Sequence, residues 1–112
     1  MSSEGSERIR ELEEMAEEEP DDELTQFMLG KAYLDGGRAE EAAERLRRAV
    51  ELRPSHTAAH RFLGNALEKA GRLEEAREAY ERGLVVSEET RDYQTGKEIK
   101  VFLDRVRGRL AE

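Results

Sequence analysis

Apolar residues along this chain recur at steps of three and four and break off wherever proline or glycine falls, the pattern of successive helices. From Ser6, an N-cap candidate, Ile9, Leu12, Met15 and Ala16 keep helical spacing until Pro20, predicting a first helix over roughly Ser6 to Glu18. Asp21 and Asp22 offer the next cap. Leu24, Phe27, Met28, Leu29, Ala32, Tyr33 and Leu34 then make a second helix, apolar nearly all round, that stops at Gly36 and Gly37. A third spans Ala39 to Leu52 and cannot continue through Pro54. Ser55 or Thr57 caps a fourth helix running to Ala70, a fifth runs from Leu73 to about Ser87, and a sixth spans roughly Asp92 to Leu110. No segment alternates with period two for long enough to make a strand. The expected fold is all-α, about six helices forming antiparallel hairpins that stack as a short α-α superhelix.

The helices are not independent inventions. Ten of the 32 residues from Glu23 to Pro54 recur unchanged 34 residues later: Leu29-Gly30 returns as Leu63-Gly64, Ala32 as Ala66, and Gly37-Arg38 as Gly71-Arg72. A fixed period in this range marks a stacked repeat architecture, in which no unit buries its apolar face alone. The same shift places Pro20 on Pro54, Leu12 on Leu46 and Met15 on Ala49, so the first helix matches the second half of a preceding unit. Lys97-Glu98 in place of Leu-Gly shows that no third full unit follows.

In these units Leu29, Gly30, Tyr33, Ala42, Leu46, Ala49 and Pro54, and then Leu63, Gly64, Leu67, Ala76, Tyr80 and Gly83, resemble the signature of the tetratricopeptide repeat. The resemblance covers about Ser6 to Val86. It implies a single domain over 1–112, with a half-repeat helix at 6–19, repeats at 23–56 and 57–90, and a capping helix at 91–112. Small residues at Gly30, Ala42 and Ala49 would let paired helices approach while Tyr33, Leu46, Leu67 and Tyr80 fill the space between them. Gln26 and His60 stand where the family carries Trp, which predicts weaker packing there. Glu88 stands where a second Pro would fall, so the fifth helix is expected to run on slightly.

Composition narrows the function. No cysteine is present, which removes disulfides and thiolate chemistry and points to a cytoplasmic setting. The first residues, Met1 to Glu7, have neither the basic stretch nor the apolar run of a secretory signal, and no apolar run is long enough for a membrane span. A net charge of -8 opposes nucleic-acid binding, since Arg45, Arg47 and Arg48 or Arg105, Arg107 and Arg109 are interleaved with carboxylates or sit at helix ends. The basic residues are 15 Arg against 4 Lys, and 22 of the 27 acids are Glu. That surface suits ion-pair networks in a hot or saline habitat and equally the codon bias of a GC-rich genome. Unfolding midpoints measured from low to molar salt separate the two: a halophile's midpoint rises with salt, and a falling midpoint removes that reading.

Catalytic constellations are missing. The chain has no glycine-rich phosphate loop, no serine elbow and no His-Glu-x-x-His pattern, and its two histidines, His56 and His60, are assigned to the turn after Pro54 and to packing. No catalytic residue, cofactor or metal site is expected. The resemblance instead implies a non-catalytic module that binds a peptide or helix of a partner protein in the concave groove of its superhelix. In this chain the groove positions are Leu24, Phe27, Lys31 and Leu34 from the first unit and Arg61, Asn65, Glu68 and Lys69 from the second. Leu24, Phe27 and Leu34 would form an exposed patch for an apolar anchor. Arg61 and Asn65 resemble the first two members of the family's carboxylate clamp; its remaining amide and cations have no clear match here, Lys97 or Lys100 being the substitutes. The alternative is a self-associating module, a homodimer through the apolar stripe of the second helix or the edge helices.

Overall fold

A computed structural model describes residues 3–112; Met1 and Ser2, part of the segment read above as lacking a secretory signal, lie outside the described residues. Six helices follow one another: α1 (Ser3–Glu18), α2 (Glu23–Asp35), α3 (Ala39–Leu52), α4 (Thr57–Lys69), α5 (Leu73–Thr90) and α6 (Tyr93–Leu110). Each packs antiparallel on the next, and α4 also touches α2 and α6, so α2, α4 and α6 line one side of the stack and α1, α3 and α5 the other.

The turns are built where the sequence punctuates. Gly37 and Gly71 close α2 and α4 with φ of 78° and 79°, left-handed values that a side chain would resist. Two boundaries differ from expectation and a third follows it. α1 begins at Ser3, leaving Ser6 inside the helix, because Gly and Ser in a first turn cost too little to stop it. α4 is capped by neither Ser55 nor Thr57: His56 holds the cap position and pairs with Glu23, while the Thr57 hydroxyl meets that of Thr90 at 3.0 Å. α5 runs on to Thr90, as the missing proline allows, and ends on Arg91 at φ 62°. A non-glycine residue there is strained, so Arg91→Gly should raise the unfolding free energy by roughly 0.5–1 kcal/mol in chemical denaturation.

Large side chains meet small ones across each hairpin. Leu12, Leu29, Leu46, Leu67 and Tyr80 are almost fully enclosed, and Ile99, Leu103 and Val106 seat α6 on α5. A methyl group on Gly30 would lie 2.5 Å from Leu46 Cγ, and one on Gly64 would sit inside the Tyr80 ring, so the 34-residue echo keeps glycine where helices cross.

Packing at the missing tryptophans is not weak. Gln26 and His60 are both buried; Gln26 Nε2 donates to the Pro20 carbonyl at 3.0 Å, and His60 Nε2 donates to the Pro54 carbonyl at 2.8 Å. The same latch thus recurs in both units, satisfying a buried side chain and a loop carbonyl together. Burial holds the His60 pKa below its ordinary 6.5, with the positive charge of Arg82 and the neighbouring His56 acting in the same direction and the Pro54 bond opposing. The folded value is depressed, so this contribution to stability is complete above pH 6.5 and lost as pH falls below it. The wild-type midpoint should therefore drop between pH 7 and pH 5, and His60→Gln, which copies the Gln26 latch, should flatten that drop in pH-dependent thermal melts.

Candidate functional site

The side of the stack formed by α2, α4 and α6 carries aromatic rings alternating with cations. Lys31 Nζ lies 5.5 Å from the Phe27 ring centre and 5.1 Å from that of Phe62. The Arg61 guanidinium lies 4.7 Å from Phe62 and 5.7 Å from Phe102, and that of Arg105 lies 5.0 Å from Phe102. Phe27 also meets Phe62 edge-on at 5.8 Å and lies against His56 with the rings tilted, their centres 4.3 Å apart. Helical spacing makes this ladder. Phe27 and Lys31 sit one turn apart on α2, and Phe102 and Arg105 occupy neighbouring turns of α6, so each cation covers part of a ring face.

Toward the C-terminal ends of α2 and α4 the ladder opens into a cavity of about 470 Å³. Its walls are Leu34 and Asp35, then Phe62, Asn65, Glu68 and Lys69, then Phe102, Arg105 and Arg109. A polar network fixes the floor. Asn65 Nδ2 donates to the Tyr80 hydroxyl at 2.6 Å, that hydroxyl donates to Glu68 at 2.9 Å, and Arg105 donates to both Glu68 oxygens at 2.7 Å. Arg109 approaches the same carboxylate at 3.7 Å. Burial, reinforced by the Glu68 bond, raises the Tyr80 pKa far above the phenolic range, so Tyr80 remains a neutral donor. Within the ladder and the cavity Lys31, Arg61, Lys69, Arg105 and Arg109 stand against Asp35 and Glu68, with Glu98 on Arg61, a positive balance in a chain whose net charge is -8.

The residues expected in the groove divide into groups. Phe27, Lys31 and Arg61 come together in the ladder, and Leu34, Asn65, Glu68 and Lys69 line the cavity. The exposed apolar patch on α2 is reduced: Leu24 is 55% exposed, whereas Leu34 is 8% exposed and Phe27 is covered by His56, Phe62 and Lys31. The neighbouring α4 lies closer over α2 than its own sequence pattern discloses. The clamp expectation also changes. Arg61 is engaged by Glu98 at 3.0 Å, and Lys100 pairs with Asp104 away from the cavity, so the cations of α6 that reach the groove are Arg105 and Arg109. Phe62, Phe102, Arg105 and Arg109 were missed. Phe62 stands beside Arg61 without sharing its place in the repeat, and α6 has no echo elsewhere in the chain to mark its groove face.

Nothing in this arrangement pairs a nucleophile with a base, and among the described residues no group of three or more His, Cys, Asp or Glu could hold a metal ion. No helix among them is long and apolar enough to cross a membrane. The geometry offers charge, π faces and an apolar recess, the means of holding a ligand without reacting with it.

Residues 27–92 match the family model described as tetratricopeptide repeat. This chain belongs to the tetratricopeptide repeat family. The family is typically non-catalytic. The TPR repeat-containing protein PA0015 of Pseudomonas aeruginosa is 46% identical over 98 residues, which span 88% of this chain and 93% of that protein. The solution structure of protein BPP2914 from Bordetella parapertussis is similar with a TM-score of 0.77 at 34% identity, over 90% of this chain and 88% of that one. The first tetratricopeptide domain of Spaghetti (RPAP3), solved bound to the HSP90 peptide SRMEEVD, matches with a TM-score of 0.80 at 25% identity, over 97% and 82% of the two chains. The family model spans from within α2 to the end of α5, and the two structural likenesses extend over 90% and 97% of the chain.

Proposed function

We infer that this protein is an interaction module, a single domain of one half repeat, two repeats and a cap, whose groove captures an acidic segment of a partner protein. An apolar side chain of that segment enters the recess between Phe62 and Phe102, and its carboxylates meet Lys31, Lys69 and the arginines of α6. Leu24, on the Lys31 face of α2, extends the apolar track, while Phe27, Leu34, Arg61, Asn65 and Glu68 shape the walls. The observation that carries this reading is the ladder of cations and rings, a locally positive, aromatic-lined face on an acidic protein. The HSP90 peptide SRMEEVD held by the similar Spaghetti domain has the same chemistry, a methionine and a valine among three acids.

That peptide is the natural probe. Fluorescence anisotropy should show saturable binding that weakens with added salt, and Phe62→Ala combined with Lys31→Glu should weaken it at least about tenfold while the circular dichroism melt stays cooperative. No saturable binding, or equal binding by the variant and by a peptide with its acids replaced by lysine, overturns the reading.

One observation favours self-association as a second reading. Tyr93 and Val101, eight residues apart on one face of α6, are 52% and 64% exposed. A dimer through this edge would appear as a concentration-dependent sedimentation coefficient that Val101→Glu abolishes.

A further inference from the structure

The opposite side of the molecule carries a second groove. α3 and α5, each antiparallel to α4, run side by side in one direction and enclose a trough of about 740 Å³. Its floor is Val50, Leu63, Ala79 and Val86, and Val85 stands 51% exposed at its edge.

Comparison of the two units shows that the architecture does not require this apolar lining. A hollow of about 630 Å³ beside α3 and Pro20 holds positions 34 residues earlier, where Arg45 takes the place of Ala79 and Glu51 the place of Val85. Polar contacts border it: Arg48 pairs with Asp21, and Arg45 reaches Gln26 at 3.5 Å. The repeat pattern therefore tolerates charge at these two positions, where the second unit carries apolar side chains instead. Val85, half exposed without structural need beside the half-buried Val50, marks a contact surface.

The charges around the trough specify the partner. Glu51, Glu75, Glu78 and Glu89 border the trough against Arg47 and Arg82, and Arg47 is already paired with Glu75 at 3.2 Å. Among the described residues no cation lies within ion-pair distance of Glu78 or Glu89. The C-terminal ends of α3 and α5 sit at the same end of the trough, beside Pro54 and Glu89, and their terminal carbonyls add partial negative charge there. We propose that this trough docks a basic segment of a partner protein, an aliphatic side chain lying on Val85 and Val50 with flanking lysines or arginines facing Glu78 and Glu89. It is independent of the acidic-segment reading of the other face. The two together would make the protein a bridge between partners of opposite charge.

The probe is a short fluorescent peptide with a central Leu-Leu pair flanked by lysines, compared with the same peptide carrying glutamates. The lysine peptide should bind saturably and at least about tenfold more tightly than the glutamate peptide, with amide NMR shifts centred on Val50, Ala79, Val85 and Val86. Val85→Lys, at a half-exposed position that leaves the core intact, and separately the exposed Glu78→Lys, should each weaken it about fivefold or more without lowering the thermal midpoint. The proposal is overturned by equal affinity for the two peptides, by shifts centred on Phe62 and Phe102, by absence of saturable binding, or by unchanged affinity in both variants. A dimer of the free protein that Val85→Lys dissociates would also overturn it, because the trough would then belong to a second copy.

Discussion

Tyr80→Ala should lower the unfolding free energy by about 3–5 kcal/mol and the thermal midpoint by roughly 15 °C. The ring is fully enclosed, faces the bare backbone of Gly64 and lies 5.8 Å from Phe102, so its removal leaves a cavity at the junction of α4, α5 and α6. Two further variants divide the effect. Tyr80→Phe keeps the ring and removes only the hydroxyl that links Asn65 to Glu68, a loss of about 1–2 kcal/mol. Tyr80→Leu installs the residue found at Leu46, its counterpart in the first unit, and should fall between the other two. Chemical denaturation of the three would test the ordering. If Tyr80→Phe proved as damaging as Tyr80→Ala, the polar network rather than ring packing would govern this junction.

Glu68→Ala should move stability and binding in opposite directions. The carboxylate is 8% exposed and accepts from Tyr80 and twice from Arg105, so its loss leaves a buried hydroxyl without its acceptor and costs about 1–3 kcal/mol. It also releases Arg105 and Arg109 from an internal carboxylate that occupies them as a ligand's would. Binding of the SRMEEVD peptide should therefore tighten about tenfold. Melts and anisotropy on the same preparation would decide it. A variant that loses both stability and affinity would show Glu68 to be part of the binding surface instead of a competitor for it.

The contrast between these residues explains how much of the molecule is legible in its sequence. Gly30 and Gly64 belong to the echo, with Leu46 and Tyr80 as the large residues facing them, and repetition exposes the pair because close approach of two helices restricts residue size the same way in each unit. Groove positions on α2 and α4 follow from the repeat register except Phe62, whereas Phe102, Arg105 and Arg109 of α6 lie outside it. Gln26 and His60 are the instructive error. Judged against tryptophan they predict loose packing, yet a side chain's worth depends on the acceptor it meets, and the Pro20 and Pro54 carbonyls come within reach only when the loops fold back.

The sequence alone determined the helices, their order and the stacking, because helical periodicity, glycine and proline act over a few residues and the 34-residue echo repeats the same hairpin. Tertiary structure decided which surfaces remain open. Leu34 and Phe27 are covered and Val85 is not, and Arg105 crosses from α6 to a carboxylate on α4. Exposure and charge pairing are set by neighbours many residues away, and a one-dimensional pattern carries no record of how far one helix shields another.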